Sequence, residues 1–273
     1  MAIKFYKMTG SGNDFVMLDG RLHQPSEWST ERVIAICDRR NGVGADGLVI
    51  LTPEQPGVVR MSFFNSDGSE AAMCGNAALC STTLAVRLGM APGAEMKLAT
   101  GAGTFPTRVT GRKYQSSLNL PNFALPAPAP IPLEAGETGI WLGTVGVPHL
   151  TVAVEDVENI DLARRGRELR WHPGAGPNGA NANFVSPAPN NDEGAWVLRT
   201  YERGVEGETL ACGTGAVASA VALAHYRRTS LPMKIISRSG KVLAIQASLS
   251  GTTASDVWLT GEGRIVYEAT LSE

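Results

Sequence analysis

Apolar residues alternate with polar ones, or run unbroken for four or five positions, through most of this chain. Examples are IKFYKM from Ile3, FVMLD from Phe15, LVILT from Leu48 and VRMSFFN from Val59. Short runs of this kind, punctuated by Gly, Pro and Asp, predict β-strands. Apolar spacings of three and four predict the better helices in four places: 30–40, 76–89, 160–167 and 215–228. Strands with a minority of helices read as an α+β fold. Between 124 and 132 the segment ALPAPAPIP is held extended by its prolines near mid-chain, and is expected to cross between two domains.

Composition narrows the function. With 273 residues, 43% of them apolar, the chain can bury a sizeable core as one large domain or two moderate ones. The 24 basic and 26 acidic residues leave a net charge of −2 without a basic block, so no nucleic-acid partner is expected. No uncharged apolar run approaches the roughly 18 residues of a membrane helix, and MAIKFYKMTG is no leader, so a cytoplasmic protein without a membrane partner is expected. Cys37, Cys74, Cys80 and Cys212 form no CxxC pair, and His23, His149, His172 and His225 are scattered. Thiols are expected, not disulfides, and neither a metal site nor a lysine motif for pyridoxal is in view. GVGADG at 42–47 satisfies GxGxxG, but a helical pattern precedes it and a strand follows, the reverse of a dinucleotide site. Asp46 is therefore read as a turn residue.

One device occurs twice. MCGNAALC from Met73 and ACGTGAVASAVALAHY from Ala211 both place Cys-Gly-polar at the head of an apolar helix, about half the chain apart. Each follows a strand-like run, and Asn65 and Arg203 each stand nine residues before their cysteine. An internal duplication explains the pattern. A helix start carries N–H groups without internal partners and a partial positive charge, so it holds a carboxylate and favours a thiolate. Two such starts converging on one α-amino-acid carboxylate would stabilise the charge left when the α-proton departs. One sulfur on each face of the α-carbon would then remove a proton from one side and deliver one to the other, which inverts configuration without a cofactor. Cys37 and Cys80 lack a polar helix start and are read as core residues.

At these residues the sequence resembles the diaminopimelate epimerases. The shared stretches are TGSGNDF from Thr9, RRNGVGADG from Arg39, FFNSDGSEAAMCGN from Phe63, VPH from Val147, NANF from Asn181 and YERGVEGETLACGTGA from Tyr201. The resemblance implies two pseudosymmetric lobes, each a curved, mainly antiparallel sheet or barrel wrapped on a central helix, with the active site in the cleft. It divides the chain into 1–121 plus 262–273, carrying Cys74, and 122–261, carrying Cys212. It implies Cys74 and Cys212 as acid/base pair, with Gly75, Asn76, Gly213 and Thr214 cradling the reacting carboxylate. Asn13, Asn65, Asn181, Glu202 and Arg203 match substrate-binding positions, and an arginine fork suits a second carboxylate. His149 and Glu202 match a pair placed to tune the cysteines, and Tyr267 a tyrosine at a homodimer contact.

Two departures bear on specificity. The family commonly has CGNGAR where this chain has CGNAAL, which makes Ala77 and Leu79 atypical, and an asparagine that contacts the distal end of diaminopimelate where this chain has Val147. Epimerisation of LL- to meso-diaminopimelate, in lysine and peptidoglycan synthesis, is the leading expectation. The alternatives are a racemase of proline, hydroxyproline or histidine on the same scaffold, and an idle amino-acid-binding protein.

Overall fold

The computed structural model describes residues 2–189 and 194–272. They divide into two compact units, one running to Asn119 and resuming at Thr260, the other Leu120–Leu259.

The first unit contains β1 (Ile3–Gly10), β2 (Asn13–Asp19), α1 (Thr30–Cys37), β3 (Gly47–Gln55), β4 (Val58–Asn65), β5 (Glu70–Ala71), α2 (Gly75–Arg87), β6 (Glu95–Thr100), β7 (Gly103–Val109), nearly all of β8 (Gln115–Leu120) and, from the far end of the chain, β19 (Arg264–Leu271). Its strands pair in the order β19-β1-β2-β3-β4-β6-β7-β8. The β2–β3 and β4–β6 pairs are parallel and the others antiparallel. The helix α2 packs against seven of these strands, β1, β2, β3, β4, β6, β7 and β19, so the sheet wraps it. With α1 packed on the sheet through Val33 and Ile36, both faces are covered, which is why Phe15–Leu18 is apolar at four successive positions and fully buried.

The second unit contains β9 (Phe123–Ala124), β10 (Ala127–Pro128), β11 (Glu137–Val145), β12 (Val147–Val154), α3 (Leu162–Trp171), β13 (Asn181–Pro187), β14 (Trp196–Glu202), β15 (Gly207–Thr209), α4 (Gly213–Tyr226), β16 (Met233–Ile236), β17 (Val242–Ser250) and most of β18 (Thr253–Glu262). From β11 to β17 its pairings repeat those of the first unit from β1 to β7. The β12–β13 and β14–β16 pairs are parallel, and β11–β12, β13–β14 and β16–β17 antiparallel. The helix α4 is apolar all round, with Ala216–Leu223 buried without a break, as a helix enclosed by its own sheet must be.

Several expectations shift. The segment ALPAPAPIP is extended, but it is not a crossing: Ala127 and Pro128 pair with Leu142 and Trp141, and Tyr226 donates to the Pro126 carbonyl at 3.0 Å. All of it belongs to the second unit. The first helix stops at Cys37 rather than 40 because the backbone turns extended at Asp38, whose carboxylate accepts from the N–H groups of Arg40 and Asn41, both at 2.7 Å. The third runs on to Trp171 because Leu162, Arg165, Gly166, Leu169 and Arg170 keep a helical spacing on its buried face up to Pro173. Tyr267 lies on β19, half-exposed, with Phe5 edge-on to its ring at 6.0 Å. Among the described residues, no helix is long and apolar enough to cross a membrane.

Candidate active site

Both cysteines cap a helix. Cys74 and Cys212 hold extended backbone immediately before α2 and α4, and their carbonyls accept from Ala78 N–H and Ala216 N–H at 2.9 Å each. The next N–H groups, of Gly75 and Asn76 in one unit and of Gly213 and Thr214 in the other, belong to first turns that have no intrahelical acceptor for them. None of the four cysteines is in a disulfide. Cys80 is enclosed, and burial pushes its thiol well up; burial likewise raises Cys37 to about 11. Neither is poised to ionise. Among the described residues, no His, Cys, Asp and Glu cluster suits a metal ion.

In the first unit the helix start is braced from behind. Asn76 is buried, and its Nδ2 donates to Asn13 Oδ1 at 2.6 Å; Asn13 Nδ2 donates to Asp46 Oδ2 at 2.9 Å. Arg39 joins Asp46 Oδ1 to Asp14 Oδ1, at 2.7 Å each, and Lys7 pairs with Asp14 Oδ2 at 2.6 Å and with the Gly44 carbonyl. Burial alone would raise the Asp14 carboxyl, but Arg39 and Lys7 overcome it and hold the group below the usual carboxylate range. Asp46 thus does more than shape a turn: it orients Asn13, and through it Asn76. Asn65 ends β4 and donates to Ser69 Oγ at 3.0 Å, outside this chain of contacts.

In the second unit a different wall backs the helix. His149 is wholly buried on β12. The amides of Asn181 and Asn183, on β13, bring Nδ2 to 3.4 and 3.2 Å of its Nδ1. Asn181 Oδ1 accepts from the Arg203 backbone N–H at 2.7 Å, and Thr200 Oγ1 donates to Asn183 Oδ1 at 3.0 Å. Burial first, then the Arg203 charge, push the imidazole down to about 3 against the opposing Val145 carbonyl, so the ring is neutral. Burial raises the Glu202 carboxyl, opposed by a hydrogen bond with Thr209. The Arg203 side chain makes no ion pair among the described residues. Thr214 Oγ1 lies 3.8 Å from Cys212 Sγ.

Strand register shows where the copies diverge. His149 pairs with Asn181 as Phe15 pairs with Gly47, and Asn183 with Thr200 as Val49 with Phe63. The polar wall of the second unit, His149, Asn183 and Thr200, is therefore apolar in the first, where Phe15 and Phe63 meet edge-on at 6.0 Å. Val147 opens β12 as Asn13 opens β2, so the position that braces α2 holds an apolar side chain in the other unit. The same register sets Asn65 against Glu202, one residue before the Arg203 that counting back from the cysteines selects.

The wall also accounts for Gly215. A Cβ there would stand 2.2 Å from Asn183 Oδ1 and 3.1 Å from Cys212 Sγ, whereas its counterpart, Ala77, has a side chain and is fully buried. Gly215→Ala is expected to lower stability by about 1–3 kcal/mol through overpacking, read as a shift of the urea midpoint; an unchanged midpoint would refute the clash.

A family model described as diaminopimelate epimerase matches residues 5–118 and 142–256. The chain belongs to the diaminopimelate epimerase family. It is 42% identical to the diaminopimelate epimerase of Gemmatimonas aurantiaca, over 99% of both chains, and 39% identical to that of Aquifex aeolicus, over 99% of this chain and 98% of the other. Among solved structures, a hydroxyproline epimerase from Agrobacterium vitis has a TM-score of 0.69 at 18% identity, covering 99% of this chain and 91% of its own. A Bacillus anthracis protein of the PhzF phenazine biosynthesis family has a TM-score of 0.74 at 13% identity, covering both chains fully. These two share the fold. As a member of the diaminopimelate epimerase family, the chain is an isomerase.

The sequence pattern does not single out Asn183, Thr200 or Gly215, and it marks Asp46 only as a turn former. The one available signal was that Asn183 shares a strand face with Asn181, two residues away.

Proposed function

We propose that the protein interconverts LL- and meso-diaminopimelate by proton transfer between two thiols, without a cofactor. The observation that carries this is the pair of cysteine-capped helix starts at matching points of a duplicated topology, in a chain of this family. One cysteine, as thiolate, takes the α-proton. The carbanion's charge spreads onto the carboxylate, stabilised by the N–H groups at Gly75 and Asn76 and at Gly213 and Thr214. The other cysteine, as thiol, gives its proton to the opposite face. Each turnover thus exchanges the protonation states of the two sulfurs; the form left is ready for the reverse reaction, and proton exchange with water resets it for another turnover in the same direction.

Asn13, Asn65, Asn181, Glu202 and Arg203 complete the proposed substrate contacts. The guanidinium of Arg203, without an ion pair among the described residues, suits the distal carboxylate. Inversion of diaminopimelate, and of no other amino acid, in deuterated water followed by NMR tests the reading. Inversion of proline, hydroxyproline or histidine instead would replace it.

Val147 motivates that second reading, because a valine cannot hydrogen-bond the distal amino-acid group. On the diaminopimelate reading, Val147→Asn supplies a hydrogen bond worth about 1 kcal/mol, so KM for diaminopimelate is expected to fall roughly fivefold with kcat little changed. A rise in KM would argue for a different substrate. We also assign self-association as a homodimer to the face of β19 that carries Tyr267, which is 44% exposed. Sedimentation equilibrium of Tyr267→Asp is expected to give the monomer mass; an unchanged dimer would move the interface elsewhere.

A further inference from the structure

Both oxygens of Asp46 face donors. Oδ1 takes Arg39 Nη2 at 2.7 Å, and Oδ2 takes the Asp14 backbone N–H at 3.2 Å beside Asn13 Nδ2 at 2.9 Å. As the carboxylate of an ion pair, Asp46 can only accept. An asparagine beside it must turn its Nδ2 inward, because the reverse would set oxygen against oxygen. Asn13 Oδ1 then faces α2, and for the same reason Asn76 meets it with Nδ2, at 2.6 Å. Two amides in series take their direction from one charge.

The series ends in an acceptor. Asn76 is 3% exposed, and its Oδ1 is buried without a hydrogen-bond partner among the described residues. The end of β1 sits directly on this helix start: a Cβ at Gly10 would stand 2.7 Å from the Asn76 backbone oxygen. A buried acceptor left unsatisfied is costly, so one fixed in this way points to a donor supplied from outside the chain. The second unit cannot build the same series. Its register puts Ala180 where the first has Asp46, Val147 where it has Asn13, and Thr214 where it has Asn76.

We infer that Asp46, held by Arg39, is a positioning residue that fixes the Asn76 side chain as an acceptor, so that the first helix start recognises both charges of an α-amino acid. The carboxylate lies at the backbone N–H groups and the ammonium at Asn76 Oδ1. Every α-amino acid carries that donor one carbon away from its carboxylate. The identity of the occupant rests on the proposed amino-acid substrate; the direction of the two amides does not.

The direction is tested by hydrogen exchange of the side-chain amides in protein carrying ¹⁵N-labelled asparagine, with Asn13→Ala and Asn76→Ala spectra identifying the two signals. One hydrogen of each amide is expected to exchange slowly in the wild type. Fast exchange at either would overturn the inference without any variant. In Asp46→Ala both are expected to exchange fast, with the backbone amides of α2 unchanged; slow exchange in this folded variant would remove Asp46 from its role. The same variant is expected to raise KM for diaminopimelate roughly tenfold, while Ki for pimelate, which has both carboxylates but no ammonium, stays within about twofold. Equal weakening of the two would refute the ammonium contact. Absence of diaminopimelate turnover by the wild type would refute the proposed substrate and leave the exchange results standing.

Discussion

Replacing either Cys74 or Cys212 by alanine is expected to lower kcat for inversion by about two to four orders of magnitude, the range that a positioned general acid or base contributes. The reason lies in the repeat. Each cysteine caps its own helix with its carbonyl in the same hydrogen bond, and on the proposed two-thiol scheme removing one sulfur leaves the other helix start intact but without a proton partner. The decisive measurement is inversion of the α-carbon, followed by circular dichroism, beside deuterium incorporation followed by NMR. Incorporation without inversion in one variant would assign the surviving thiol to one face. Full inversion by either variant would end the two-thiol scheme. Cys80→Ala serves as the control, since its buried thiol is pushed well above the range in which it could ionise.

Arg165→Met is expected to lower folding stability by about 3–5 kcal/mol, the cost of leaving a buried charge without its partner. Arg165 and Glu137 form a two-pronged pair, Nε to Oε1 and Nη2 to Oε2 at 2.8 Å each, with side chains only 4% and 1% exposed. The pair ties α3 to the start of β11, and Nη2 also donates to the Pro132 carbonyl at 2.9 Å. Removing the guanidinium strands Glu137 beneath α3, next to a core that includes Ile131, Leu162 and Leu169. Urea unfolding reads the loss as a lower midpoint at constant slope. The double variant with Glu137→Met is expected to recover much of it, because apolar replacement of a buried pair is often neutral. A single variant within 1 kcal/mol of wild type, on the scale of an exposed pair, would show that the pair contributes little.

What the sequence disclosed depended on how local the signal was. The helix starts at Cys74 and Cys212 are marked by adjacent residues, Cys-Gly-polar before an apolar run, and could be found by comparing two short stretches. The unbroken apolar run of α4 likewise announces a helix enclosed on all sides. Asn183 could not be recognised in this way: its partners His149, Thr200 and Gly215 come from three other elements, and only strand register brings them together. Asp46 lay in a glycine-rich turn whose pattern explained it, and its contact with Asn13 depends on the parallel pairing of β2 with β3. Prolines at 124–132 correctly signalled extended backbone, but proline cannot distinguish a linker from a short strand lacking some of its donors.

The return of β19 to β1 sets an order of events during synthesis. Ile3 pairs with Leu271, so the first unit lacks one strand of its sheet, and part of the cover over α2, until β19 has left the ribosome. The second unit, Leu120–Leu259, is one continuous segment and can close earlier, although it is made later. Until then β1 presents an unpaired edge, the kind of surface that chaperones shield and that aggregation exploits.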